Sequence, residues 1–102
     1  MQEENVADEG HDRVVNPEEE APNQADFAPP DVADQLKGPN CIKYEYHSPR
    51  DVTAWNECGR RLNLKAIWQF CRDSDCKTVE AGWGLNSKRR SRRCGYDGAD
   101  EC

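Results

Sequence analysis

A chain of 102 residues that is 35% hydrophobic and 33% charged has room for one domain and lacks the apolar content for a core along its whole length. Its formal charge of −6 is unevenly laid down: residues 1–40 hold eleven acids against Arg13 and Lys37, a local charge of −9, whereas residues 41–102 hold nine acids against twelve bases, a local charge of +3. The −9 tail, together with the secretion expected below, opposes a nucleic-acid partner, and no apolar run is long enough for a membrane-spanning helix or a signal-peptide core.

Composition shifts at the same boundary. All six cysteines and seven of the eight aromatics lie from Cys41 onward, and five of the six prolines precede it. The sequence therefore predicts a disordered acidic tail over 1–40 and a disulfide-stapled domain over 41–102. Met1 ahead of Gln2-Glu3-Glu4 reads as a start residue placed before a mature chain. In the tail, Asn16-Pro17-Glu18-Glu19-Glu20-Ala21-Pro22 and Pro29-Pro30 read as extended, solvated chain. Such a tail is either a solubilising spacer or an acidic arm. The arm would dock on a basic partner around Asp26-Phe27-Ala28-Pro29-Pro30, or fold back on the domain's own cations.

In the domain, Ile42, Tyr44 and Tyr46 alternate with Lys43 and Glu45, which predicts a strand. Ser48-Pro49-Arg50-Asp51 carries N-cap and N1 signals and predicts one helical turn. Leu62, Leu64, Ala66, Trp68 and Phe70 alternate with Asn63, Lys65, Ile67 and Gln69; this run reads as a second strand, although its propensity also fits a helix. Trp68 and Phe70 are expected in the core. Thr78-Val79 leads into a bend at Gly82-Trp83-Gly84, Ser87 to Cys94 returns as a hairpin arm, and Gly95 to Gly98 closes the chain as a loop. The fold class is a small, disulfide-rich, mainly β domain: a short antiparallel sheet plus a C-terminal hairpin.

Six cysteines in about sixty residues supply the cross-links that a small apolar core needs. Zinc is the competing reading, but no Cys-x-x-Cys is present and His47 is the single histidine of the domain, so neither a metal nor a cofactor is expected. Disulfides imply an oxidising compartment and a secreted, extracellular protein, expected to be a monomer with no membrane partner. One domain histidine and no free thiol cannot assemble a nucleophilic triad, and no phosphate loop is present; the chain is not expected to be an enzyme. The run Lys88, Arg89, Arg90, Ser91, Arg92, Arg93 places five cations in six residues. It reads either as a site for an anionic partner, an acidic protein or a sulfated glycan, or as a solvated arm neutralised by the tail. It also resembles a dibasic processing site.

With these residues in hand, the domain resembles the peritrophin-A type chitin-binding domain, the family 14 carbohydrate-binding module, over residues 41–102. Cys41 stands as the first cysteine, and Pro49-Arg50-Asp51 precedes the place of the second. Thr53-Ala54-Trp55-Asn56-Glu57 leads to Cys58, and Cys71 follows as the fourth. Gly82-Trp83-Gly84-Leu85-Asn86 is similar to that family's Gly-Leu-x-Phe-Asn stretch, and Cys94 and Cys102 match its closing pair. Val52 occupies the expected second cysteine, and Cys76 is extra. The resemblance, with Cys76 replacing the lost partner, implies the pairs Cys41–Cys58, Cys71–Cys94 and Cys76–Cys102. A weaker resemblance to thrombospondin repeats rests on Trp68-x-x-Cys71 and Arg90-x-Arg92-x-Cys94, whose tryptophans and arginines stack; the Cys71-to-Cys76 spacing argues against it.

The chitin-binding resemblance implies that chitin, or a related polymer of N-acetylglucosamine, is the ligand. A neutral sugar needs flat rings for its C–H faces and polar groups for its hydroxyls. Trp55, Trp83 and Tyr96 would supply the rings, Trp83 being exposed between two glycines, and Asn86 and Asp97 the polar contacts. The alternative is a secreted protein-directed binder or inhibitor, of salivary, venom or immune-evasion type, that uses the acidic tail and the basic cluster 88–93.

Overall fold

The structure is a computed structural model that describes residues 11–18 and 36–102; the arm around Asp26-Phe27-Ala28-Pro29-Pro30 lies outside them. Seven strands and no helix are found among the described residues: β1 (His11–Val15), β2 (Ile42–Ser48), β3 (Asp51–Asn56), β4 (Leu62–Gln69), β5 (Lys77–Val79), β6 (Gly84–Lys88) and β7 (Gly95–Glu101). They form a four-stranded sheet in the order β1-β6-β3-β2 and a three-stranded sheet in the order β5-β4-β7, with every pairing antiparallel.

Period-two alternation sets the inner faces. Leu62, Leu64, Ala66 and Trp68 of β4 are buried while Asn63 and Gln69 are exposed, so the strand reading of this run holds and the helical one does not. Ile42 and Tyr44 of β2 meet Val52 and Ala54 of β3 and Leu85 of β6 in one core cluster with β4, Val79 and Ala99. Phe70 departs from the expectation. The chain turns immediately after β4, and Phe70 sits in that turn with φ 67° and its ring 77% exposed.

Four further segments differ from the sequence reading, each for a local reason. The residues read as a helix start instead form the tip of the β2–β3 hairpin. Pro49 pre-sets the turn, the Arg50 N–H bonds Ser48 Oγ at 3.3 Å, and the register slips between Tyr46 and Ser48 as a bulge. β3 shows no alternation because both of its faces are covered. On its outer face the Trp55 ring lies over Gly84, where an added Cβ would stand 2.8 Å from the indole, and its Nε1 donates to Glu45 Oε1 at 2.9 Å. The C-terminal residues read as a loop form β7 against β4. Gly98, read as the end of that loop, is there for close approach: the 36–40 segment bridges β7 in parallel at Lys37 and Gly98, and a Cβ on Gly98 or Gly38 would strike backbone at 2.5 Å or 1.8 Å. Within the segment read as a tail, His11–Val15 adds to β6 as an edge strand.

The disulfides are Cys41–Cys58, Cys71–Cys94 and Cys76–Cys102, and no cysteine is free among the described residues. Closing loops with sequence separations of 17, 23 and 26 residues, each is worth about 2–4 kcal/mol. Between the sheets the links are polar side chains. The Tyr44 hydroxyl donates to Lys37 O at 2.9 Å and accepts the Ala99 N–H at 3.1 Å. Asn56 Nδ2 reaches Val79 O and Glu80 O at 3.0 and 3.2 Å, and Trp68 Nε1 donates to Ser87 Oγ at 2.9 Å.

The indole–glycine contact yields an expected outcome. Gly84→Ala forces a methyl group into the Trp55 ring and should lower stability by about 1–3 kcal/mol, read from urea denaturation. An unchanged midpoint would show that Trp55 moves aside without cost.

Candidate functional site

One end of the four-stranded sheet gathers charge. The register aligns His11, Lys88, Asp51 and Ser48 across its four strands. The hairpin tip begins at this row, with His47, Ser48 and Pro49 exposed. Below it, an open hollow of about 210 Å³ is lined by Arg13, His47, Asp51, Asn86 and Lys88. Its walls are tied together. Asn86 Nδ2 donates to Asp51 Oδ1 at 3.0 Å and to Thr53 Oγ1 at 2.9 Å, Thr53 Oγ1 bonds His47 Nε2 at 3.1 Å, and Lys88 Nζ stands 3.9 Å from Asp51. The tip is fixed to the neighbouring loop by the Arg89 N–H, which donates to Arg50 O at 2.9 Å.

The inner side of the same end is a sealed polar cluster. Arg89 has a side chain only 1% exposed and pairs with Asp12 Oδ1 at 2.9 Å. Its other donors reach Lys88 O at 2.7 Å and Arg72 O at 2.8 and 3.2 Å, and its guanidinium carbon lies 5.3 Å from the centre of the Trp68 ring, a cation–π contact. Asp12 also accepts from Ser87 Oγ. An acid from the N-terminal segment thus folds back on a cation of the basic run, and β1 is fastened to the domain by that pair. Beside it, Tyr96 receives Tyr44, Tyr46 and Trp68 edge-on with centroids 5.8, 5.9 and 5.1 Å away. Burial pushes the Tyr44 hydroxyl up to about 12, raises Tyr46 and holds Tyr96 well above the ordinary value.

The residues expected to grip a sugar do not share a platform. Trp55 is 2% exposed, Asn86 is buried in the hydrogen bonds described above, and Tyr96 sits in the ring cluster between the sheets. Asp97 pairs with Lys37 Nζ at 3.3 Å. Trp83 is exposed as expected, at 37%, but it lies at the start of β6, the end of the sheet away from Lys88. The basic run is also divided. Arg89 is interior, Lys88 faces Asp51, and Arg90, Arg92 and Arg93 are exposed in the loop that follows. Sequence reasoning missed Arg13, His47 and Arg50 as neighbours of Lys88. Pro49 with its flanking Ser48 and Arg50 was the available signal, read there as a helix start rather than a hairpin tip.

A family model described as "Alpha amylase inhibitor" matches residues 37–102, from the segment that crosses β7 to the last cysteine. No curated protein and no solved structure matches the chain. The family match overturns the resemblance to the peritrophin-A chitin-binding domain, and with it chitin as the ligand and partner. The physical reason is visible at Val52. The resemblance treats it as a lost cysteine, but it is a fully buried core residue of β3 opposite Ser87, and of the three rings expected to bind sugar Trp55 and Tyr96 are spent on packing while Trp83 stands apart. The disulfide pairs drawn from the resemblance are nonetheless those of the structure.

Two outcomes follow. Arg89→Met leaves Asp12 without its cation and should cost about 3–5 kcal/mol in urea denaturation, with Asp12→Leu in the same chain restoring part of the loss. The chain's three tyrosines are all raised, so the folded state holds their protons more tightly than the unfolded state does. Stability is then complete below the unfolded value near pH 10 and drains away as pH climbs toward about 12. Tyrosinate absorbance and circular dichroism should change together above pH 10; ionisation near pH 10 with the fold intact would contradict the burial.

Proposed function

The chain belongs to the alpha amylase inhibitor family, and from that membership we propose that it is a secreted, non-catalytic protein that binds an α-amylase and blocks it. The observation that carries this reading is the extent of the match, which spans six of the seven strands and all three disulfides. The partner is a protein, as in the protein-directed reading of the sequence. Three disulfides with no free cysteine among the described residues suit an oxidising extracellular setting.

The β2–β3 tip is the surface we assign to the enzyme. Glycosidases cut with a pair of carboxyl groups that flank the bond, so the cleft to be closed is anionic and narrow. A hairpin tip bearing Arg50, with Lys88, Arg13 and His47 beside it, offers the complementary charge. It also offers rigidity. The hairpin is closed at its base by Cys41–Cys58, its turn is set by Pro49, and Arg50 O is held from the adjacent loop. A tip that is ordered before binding loses little entropy on docking.

Steady-state inhibition of α-amylase by the disulfide-intact chain tests the proposal. Inhibition is expected, and Arg50→Ala should weaken it about 30-fold, the loss of a central interface residue worth about 2 kcal/mol. Lys88→Ala, whose partner Asp51 is already on the chain, should weaken it less. An intact, folded chain that leaves amylase activity unchanged would reject the function. Inhibition that Arg50→Ala does not touch would reject the tip.

A further inference from the structure

The loop between β6 and β7 is held at both ends yet buries nothing between them. Arg89 anchors its start through Asp12 and Arg72 O, and Cys94 anchors its end through Cys71. Ser91 shapes the middle, its carbonyl accepting the Cys94 N–H at 3.2 Å and its hydroxyl the Arg93 N–H at 3.3 Å. Arg90, Arg92 and Arg93 are all exposed along it. The disulfide, with Cα atoms 5.4 Å apart, sets Phe70 and Arg72 against this loop. Phe70 adopts the left-handed conformation that L residues disfavour and turns its ring to solvent. Arg72 is exposed as well.

Several other surface cations of the domain are matched, Lys43 with Glu57, Arg61 with Glu80, Lys65 with Asp73 and Lys88 with Asp51, whereas Arg50, Arg60 and Lys77 lie apart from this loop in the sequence. Among the described residues Arg72, Arg90 and Arg92 form no ion pair. The Cys71–Cys94 bond brings the segment of Arg72 beside the loop that carries Arg90 and Arg92, in a folded part whose local charge is +3. We propose that this cluster, Phe70 and Arg72 with Arg90 and Arg92 across the Cys71–Cys94 bridge, is a binding site for a sulfated polysaccharide.

The ligand class follows from the chemistry. Planar guanidinium groups pair with tetrahedral oxyanions through two parallel hydrogen bonds, and an exposed ring accepts the C–H face of a sugar. At this loop the exposed large hydrophobic is Phe70, Trp83 lying at the far end of β6, so the surface is a single ring set among guanidinium groups and not an apolar patch. The site adjoins the hairpin tip assigned to amylase through the Arg89–Arg50 backbone bond, but it uses side chains that the tip does not, and stands or falls without it.

Chromatography on immobilised heparin, with the intact chain and with Arg72→Gln/Arg90→Gln/Arg92→Gln, tests the proposal. The intact chain should bind at about 0.1 M NaCl and elute as screening grows. The triple variant should flow through while inhibiting amylase as the parent does. Titration of the labelled intact chain with a heparin hexasaccharide should shift amide signals of residues 70–72 and 90–93. No retention of the intact chain, equal retention of the variant, or amide shifts centred elsewhere would overturn the site. Equal affinity for poly-glutamate would overturn the sulfated class in favour of charge alone.

Discussion

No disulfide of this domain crosses from one sheet to the other. Cys41–Cys58 closes the β2–β3 hairpin, while Cys71–Cys94 and Cys76–Cys102 join residues that flank β4, β5 and β7 of the second sheet. The bonds limit the unfolded chain and fix each sheet's perimeter, but they do not press sheet against sheet. That task falls to a thin apolar layer and to buried polar groups that each satisfy a backbone or side-chain partner opposite. Tyr44, Asn56 and Trp68 occupy three separate places along the seam. Each is a large side chain whose polar end would be costly to bury unpaired. They therefore specify one alignment of the sheets, where an apolar layer alone would tolerate several.

The same economy organises the cationic end. A cluster of like charges on a small domain is unfavourable unless the charges are separated by function, and here they are. One arginine is interior and structural, one lysine faces an aspartate on the sheet, one arginine rides the hairpin tip, and the rest project from a clamped loop. Net charge says nothing of this division. The chain is acidic as a whole, basic over its folded part, and locally neutral wherever Asp12 or Asp51 intervenes.

What could be read from sequence was what depends on alternation and on cysteine count. β2 and β4 each bury one face, so their pattern shows; β3 covers both faces with its own side chains, and its pattern vanishes. Gly98 and Gly84 look like turn residues in a sequence, because the reason for a glycine at a close crossing is a neighbour distant in the chain. Phe70 reads as core by its place in the β4 alternation, and only the abrupt turn after Gln69 puts it outside. The cysteine pairing was recovered although the family was not. Cysteine spacing limits which loops can close and says little of what fills them, so it did not identify the family. The family match does, and Val52 takes its place in the structure as a fully buried core residue of β3.

β1 has a consequence for the solubility of the whole molecule. It precedes the stretch matched to the family and lies along β6 through five residue pairs. Without it, β6 would end the sheet, offering a row of free amide and carbonyl groups beside Leu85, a template onto which a second chain could stack. The exposed His11 and Arg13 give the new margin polar side chains and a cation, which discourage a further strand from joining. The N-terminal segment thus acts as a selvedge, a finished border that keeps one inhibitor-family domain from being woven to the next.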